Sequence, residues 1–298
     1  MGLIIGVNAA GHIAAASVEA EKLVGNIYRP QDEGNEPDSL SRMHANQIAE
    51  LIQQQILIAS EGREIDAIGV AFPGIIRAGV IEECPNIPQM KGQDLASVLM
   101  NMLSDPEFDG QMRIINDADA MAAGIAAQRD HLDKLVRVWF LGNGIGYGRY
   151  PQSGTAGEGG HTVVTLDPKE SLCLCGGVGH LEGIMGYRAM RLRFLDLEPE
   201  EVFEKAKSGD QRCASFVDLW HRALAAATAT SIHLDGPGKF FVSGPNARFV
   251  DADFLQVCLK EMVKMSPLQG SAIEVIPTTD EIAIIGAAIT AQQTSETC

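Results

Sequence analysis

At 298 residues, 46% of them apolar, the chain is long enough for two domains of ordinary size and apolar enough for a sizeable core. Its formal net charge of −16, with an isoelectric point near 4.8, argues against nucleic acid or an anionic membrane as partner, because phosphates would be repelled rather than neutralised. The sequence shows no basic leader and no membrane-spanning apolar run, Gly6 stands where myristoylation needs Ser or Thr, and Cys84, Cys173, Cys175, Cys213, Cys258 and Cys298 are too scattered for a disulfide framework, so the expected compartment is the cytosol.

Residues 3–8 are a short apolar run, followed by a tight turn at Ala9-Ala10-Gly11 and by HIAAASVE and KLVGNIYR, which read as second and third strands. The segment 30–39 reads as a loop. From Ser41 to Ala59 the apolar residues Ile48, Leu51, Ile52 and Ile56 recur at helical spacing. A buried strand over 65–72 ends at Pro73-Gly74, a helix covers 93–103, and a strand beginning at Arg113 is cut off by Asn116-Asp117 before a small-residue helix. The second half opens on a strand at 136–141 and a glycine turn at 142–148. Helices are expected at about 184–195, 199–207, 211–234 and 252–265, strands at 239–243 and 273–276, and a last apolar helix from Ile282 to Ala291. Strands alternating with helices after an antiparallel start make this an α/β chain.

Three strand ends carry turns whose backbone could approach phosphate: Asn8–Gly11, Gly142–Gly148 and Gly244–Asn246. None is followed by Gly-Lys-Ser/Thr, and none fits the dinucleotide fingerprint. Asp117 reads in two ways, as a helix cap or as a carboxylate at a strand end able to take a proton from a hydroxyl.

The stretch from Glu158 to Glu182 has the most chemistry per residue. Cys173, Cys175 and His180 fall within eight positions, among glycines that let the backbone turn. His161, twelve positions before Cys173, brings the number of ligands to four, which a closed tetrahedral zinc site requires. Glu158 and Glu182 lie just outside these ligands.

Taken together, these residues resemble the ROK family of sugar kinases, within the actin/hexokinase-like superfamily. The resemblance runs in order through Ala71-Phe72-Pro73-Gly74-Ile75, Gly79-Val80, Pro85-Asn86-Ile87-Pro88, Ile115-Asn116-Asp117, Gly142–Gly148, Glu158-Gly159-Gly160-His161, the Cys173–Glu182 segment, Ser243-Gly244-Pro245 and Ile285-Gly286-Ala287-Ala288. It implies a two-domain actin-like, ribonuclease H-like ATPase fold with an interdomain cleft. The smaller domain would be residues 1–117 with a C-terminal helix at about 282–298, and the larger would be 118–281. The implied activity is ATP- and Mg²⁺-dependent phosphorylation of a hexose or amino-hexose. Asp117 would be the general base. Asn116, Asp117, Glu158, His161 and Glu182 would bind the sugar, and Asn8, Gly11, His12, Gly142, Asn143, Gly144 and Gly244 the nucleotide. His161, Cys173, Cys175 and His180 would hold a structural Zn²⁺, and a homodimer is the implied assembly.

The chain departs from this pattern mainly on the nucleotide side. The family's first turn runs Asp-x-Gly-Gly-Thr, whereas here it is Asn8-Ala9-Ala10-Gly11-His12. Asn143 replaces the usual threonine, His180 replaces a zinc cysteine, and the link from Gly148 to Glu158 is short, which suggests a missing hairpin. The alternative is therefore a sugar-binding member without efficient phosphoryl transfer. If Asn8 weakens the hold on Mg²⁺, Asn8→Asp, alone or with Ala10→Gly, is expected to raise kcat/KM for Mg-ATP.

Overall fold

The computed structural model describes residues 3–31, 39–103, 108, 110–152 and 157–293. Cys298, the end of the expected C-terminal helix, and parts of the 30–39 loop and the 148–158 link lie outside these residues. In chain order the elements are β1 (Leu3–Asn8), β2 (Ala14–Glu19), β3 (Lys22–Tyr28), α1 (Ala45–Ser60), β4 (Ile65–Phe72), β5 (Ile75–Arg77), β6 (Val80–Glu83), α2 (Leu95–Leu103), β7 (Gln111–Asn116) and α3 (Asp117–Gln128). They continue with β8 (Val136–Leu141), β9 (Ile145–Tyr150), α4 (Leu181–Met185), α5 (Tyr187–Arg193), α6 (Pro199–Lys207), α7 (Gln211–Asp235), β10 (Lys239–Ser243), α8 (Ala252–Met262), β11 (Ala272–Val275) and α9 (Asp280–Gln292).

The chain forms two compact units. The first comprises residues 1–134, 148–156 and 279–298, and the second 135–147 and 157–278. In the first unit the sheet runs β3-β2-β1-β4-β7, with β1 antiparallel to β2 and parallel to β4, and β4 parallel to β7. β1 is buried on both faces, as expected of a central strand covered on each side. Ile5 and Val7 pack with Ile48, Ile52 and Ile56 of α1 and Leu99 of α2. Ile4, on the other face, packs with Ile284, Ile285 and Ala288 of α9.

Two strand glycines allow α9 to sit close to the sheet. A β-carbon on Gly6 would lie 2.1 Å from the Ile284 carbonyl oxygen, and one on Gly69 would lie 1.9 Å from that of Ala287. α9 also meets α3 backbone to backbone, since a β-carbon on Gly286 would lie 1.7 Å from the Ala120 carbonyl oxygen. This packing places α3 in the first unit, whereas the sequence suggests a boundary at 117/118.

The second unit has the sheet β11-β10-β8-β9, with β10 parallel to both β8 and β11. Trp139, Leu141, Phe240 and Val242 pack with Trp220 and Leu224 of α7. Buried Arg137 stacks on Phe240 at 3.9 Å and donates to Ser231 and to the Gly236 carbonyl, so the hydrogen bonds compensate a charge that would otherwise be costly to bury.

Four local expectations change. The stretch 184–195, expected as one helix, forms α4 and α5, which are broken at Gly186, where ψ is 140°. The first helix starts at Ala45, where the Gln47 side chain accepts from the His44 N–H; Ser41 belongs to a preceding 3-10 turn. The β5–β6 hairpin was not evident from pattern, because its strands are only three and four residues long. The glycine stretch 142–148 is not one turn, since β9 begins at Ile145.

Candidate functional site

In the first unit, the end of β7 presents Asn116 and Asp117. Asn116 is the N-cap of α3: its Oδ1 accepts from the N–H groups of Ala118 (2.9 Å) and Asp119 (3.3 Å), while its Nδ2 donates to the Gly74 carbonyl (3.0 Å). Capping therefore falls to Asn116, and Asp117 becomes the first helical residue. Asp117 accepts from the adjacent Ala118 N–H at 3.0 Å, and burial raises its carboxyl above the ordinary range. Asp119, one step on, accepts from the Arg149 N–H and the Gln152 side chain, and burial pushes it up to about 6. Gly74, at φ +101° and with no room for a β-carbon beside the Glu83 carbonyl, sets the turn beneath Asn116.

The first turn, between β1 and β2, differs from its sequence reading. Asn8 Nδ2 donates to Asp280 Oδ1 at 2.8 Å, and Asn8 Oδ1 accepts from the Ala10 N–H at 3.3 Å. His12 Nε2 contacts the same Asp280 oxygen at 2.8 Å, and Arg29 grips the other through Nε at 3.1 Å and through Nη2. These bonds hold Asp280 well below the usual carboxylate range against the opposing effect of burial, the largest single influence on it. With four donors on its two oxygens, Asp280 cannot serve Mg²⁺ or its water shell without giving up a bond. Sequence reading missed Arg29 and Asp280, which lie 251 positions apart and share no motif.

In the second unit, His161, Cys173, Cys175 and His180 converge, with their ligand atoms all within 4.8 Å of one another. Cys173 Sγ lies 3.4 Å from both His161 Nδ1 and Cys175 Sγ, His180 Nδ1 lies 3.2 Å from Cys175 Sγ, and the two histidine Nδ1 atoms are 3.3 Å apart. A tetrahedron with bonds of about 2.0–2.3 Å has edges of roughly 3.3–3.8 Å, close to these four separations, and two thiols with two imidazoles are a donor set that suits zinc. Without a cation, burial pushes the Cys173 thiol up to about 12; a metal would reverse that and hold the thiolate.

Loop packing explains the convergence. Val163 bridges to His180, and Val164 N–H and Leu181 N–H bond across to Gly179 and Thr162. Gly179, at φ +75°, leaves no space for a β-carbon against the Thr165 carbonyl. Glu170, paired with both guanidinium nitrogens of Arg193, fixes the loop to α5.

Glu182 joins this loop to the turn after β8. Its Oε2 accepts from the Ile145 N–H at 3.1 Å, and its Oε1 faces the Cys173 thiol at 3.4 Å. In the same turn the Gly142 N–H donates to the Gly144 carbonyl, and the Gly142 carbonyl accepts from Asn246 and Tyr187. Gly244 donates its N–H to Thr278 Oγ1 at 2.7 Å. Of the residues assigned to a nucleotide, Gly142 and Gly244 thus use their amides within the fold. Glu158 lies on the exposed entry to the metal loop.

Two α/β units, a strand-end Asn-Asp and a Cys/His cluster beside a carboxylate define a class, the proteins of the actin-like two-domain fold. The ROK family profile matches residues 5–294, and the chain belongs to the ROK family. A curated relative, the glucokinase of Pyrobaculum calidifontis, is 30% identical over 252 residues, which span 79% of this chain and 82% of its own. The ROK hexokinase structure from Thermus thermophilus superposes with a TM-score of 0.76 at 23% identity, over 97% of each chain. The xylose repressor of Caldicellulosiruptor bescii is 24% identical over 309 residues, which span 92% of this chain and 73% of its own. No described helix is long and apolar enough to cross a membrane.

Proposed function

We propose that this protein is a sugar kinase that transfers the terminal phosphoryl group of a nucleoside triphosphate to a hydroxyl of a hexose or amino-hexose. The observation that carries this reading is Asp117: Asn116 relieves it of capping, and burial raises its carboxyl toward the range of a useful base. In the reaction the sugar hydroxyl gives its proton to Asp117, its oxygen bonds to phosphorus, and the bond to the bridging oxygen breaks to leave the nucleoside diphosphate. The residues assigned to the sugar are Asn116, Asp117, Glu158, His161 and Glu182. Amide, imidazole and carboxylate groups together supply the donors and acceptors that hydroxyls require, and such a site rejects a sugar lacking one of them. Zinc, when bound by His161, Cys173, Cys175 and His180, supplies a rigid tie for the segment carrying Glu158 and Glu182. Asn8, Gly11, His12, Asn143 and Gly144 are assigned to the donor, and a homodimer in the cytosol is the proposed setting.

Asp117→Asn keeps the shape and removes the proton acceptor. ADP release over a panel of hexoses and amino-hexoses should fall by about 10²–10⁴-fold, while sugar-induced thermal shifts stay near those of the parent. Unchanged turnover would remove Asp117 from the mechanism. The second reading, a sugar binder with little transferase activity, draws on the engaged state of Asn8 and of the Gly142 and Gly244 amides. A sugar-induced shift in the parent protein without ADP release on any sugar would favour it.

A further inference from the structure

The end of β9 packs onto the first turn of α3. A β-carbon on Gly148 would lie 1.9 Å from the Ala118 carbonyl oxygen, so backbone meets backbone there. The next residue, Arg149, donates its N–H to Asp119 Oδ1 at 2.9 Å, and Gln152 Nε2 donates to Asp119 Oδ2 at 3.2 Å. Gln152 is fixed from its other side too. Its Oε1 accepts from Arg113 Nη2 at 3.3 Å, and Arg113 Nη1 donates to the carbonyls of Thr290 and Gln293 at the C-terminal end of α9. The Gln293 side chain donates in turn to the Tyr150 hydroxyl at 2.8 Å.

The direction of these bonds sets the charge that suits Asp119. A guanidinium only donates, so Gln152 turns its carbonyl oxygen to Arg113 and its amide nitrogen to Asp119. Asp119 then has a donor on each oxygen, the pattern of an ionised carboxylate. Burial opposes that charge and pushes the carboxyl up to about 6, so above this pH the network holds an anion. The charged groups that face it are Asp117 on the same turn, Arg149 at the end of β9 and, beyond Gln152, Arg113 of β7, while α9 contributes two carbonyls and the neutral Gln293. Cys84, close enough to Asp117 to feel its charge, stays a thiol, because burial pushes it up to about 11. Side chains two residues apart on a helix do not face each other, so Asp119 reaches Asp117 by charge and by the turn they share, not by a hydrogen bond.

We infer that Asp119 is a positioning residue for Asp117: anchored to Arg149 and Gln152, it holds the first turn of α3 in place and keeps near the base a fixed negative charge that makes the base a stronger proton acceptor. The inference rests on the kinase reading for the use made of that proton, but not for the coupling between the two carboxyls.

Carboxyl-carbon NMR of the full chain, labelled with carbon-13 aspartate and titrated between pH 4 and pH 8, reads the coupling directly. The Asp117 signal is identified by its loss in Asp117→Asn. In the parent the two carboxyls should titrate as a coupled pair. In Asp119→Asn the Asp117 midpoint should fall by about half a pH unit or more, and the rise of kcat/KM with pH should move down with it. A purely structural role would lower the melting temperature and leave both midpoints in place. Asp119→Asn combined with Gln152→Glu separates charge from contact, and it carries the same comparison should the single variant fail to fold. The new amide donates to the new carboxylate, which still accepts from Arg113, so the hydrogen bonds return while the charge moves away from Asp117 and onto an arginine. This double variant should regain a melting temperature near that of the parent and keep the low Asp117 midpoint. A midpoint that Asp119→Asn leaves within about 0.2 pH unit overturns the inference, and so does a double variant whose midpoint returns to that of the parent. If no sugar is phosphorylated yet Asp119→Asn still lowers the Asp117 midpoint, the kinase reading fails and the coupling stands.

Discussion

Asn8 illustrates how a residue's meaning depends on its neighbours. By sequence it is an impaired metal-side acid, and restoring aspartate is expected to help. In the structure its amide nitrogen lies 2.8 Å from Asp280 Oδ1, so Asn8→Asp would set two carboxylates against each other. The expected outcome is now the reverse, a loss of roughly 1–3 kcal/mol in stability at neutral pH and weaker donor binding. The pH dependence has a definite sign. Asp280 has a folded pKa depressed below its unfolded value, so its stabilising contribution is complete above about pH 4 and is lost as pH falls through the folded value. In Asn8→Asp the repulsion raises one of the two acids, so the deficit should shrink as the pH is lowered and that acid takes up its proton. Urea midpoints of both proteins between pH 7 and pH 4 would show this narrowing. A variant more stable than the parent at pH 7 would refute the account.

At the scale of elements, the contact that organises the first unit is made by backbone. α9 approaches β1 at Gly6, β4 at Gly69 and α3 at Gly286, and in each case a β-carbon would come within about 2 Å of a carbonyl oxygen of the neighbouring element. Helices that meet this closely cannot accommodate even a methyl group without moving apart. Gly286→Ala should therefore destabilise the protein by about 3 kcal/mol or more, beyond the helix-propensity gain of about 1 kcal/mol that alanine brings. Chemical denaturation reads this directly. A neutral or stabilising result would show that α3 and α9 are free to separate. The same packing determines where Asp117 and Asp280 sit, since one begins α3 and the other begins α9.

For the whole molecule, the two units differ in what holds them together. The first has its own two-sided core, whereas the second has a core around α7 and in addition a long loop on which His161, Cys173, Cys175 and His180 converge. Protein purified without added metal should carry close to one zinc per chain by elemental analysis. Cys175→Ser should lower zinc content and reduce sugar affinity. Hydrogen exchange in the stripped protein should rise across 161–182 while amides of β1 and β4 keep their protection, because opening follows the unit that loses its tie. Absence of zinc, with Cys173 and Cys175 freely titratable in the native protein, would refute the metal site.

The sequence by itself determined whatever depends on local spacing. Most strand and helix positions followed from apolar period, and the candidate metal ligands from four residues in a glycine-rich stretch that the fold brings together. Asn116-Asp117 was visible as a strand end, but not which of the two caps the helix, because that choice rests on φ/ψ and on which side chain reaches the Ala118 and Asp119 amides. Tertiary structure alone decided the first turn. Arg29 and Asp280 are brought to Asn8 and His12 by the packing of α9 on the sheet, and no periodicity links residues so far apart. It also assigned α3 to the first unit and turned Glu182 toward the Ile145 amide. The physical reason is that local pattern records which face of an element is buried, whereas hydrogen bonds between distant side chains exist only once the sheet and helices have been placed.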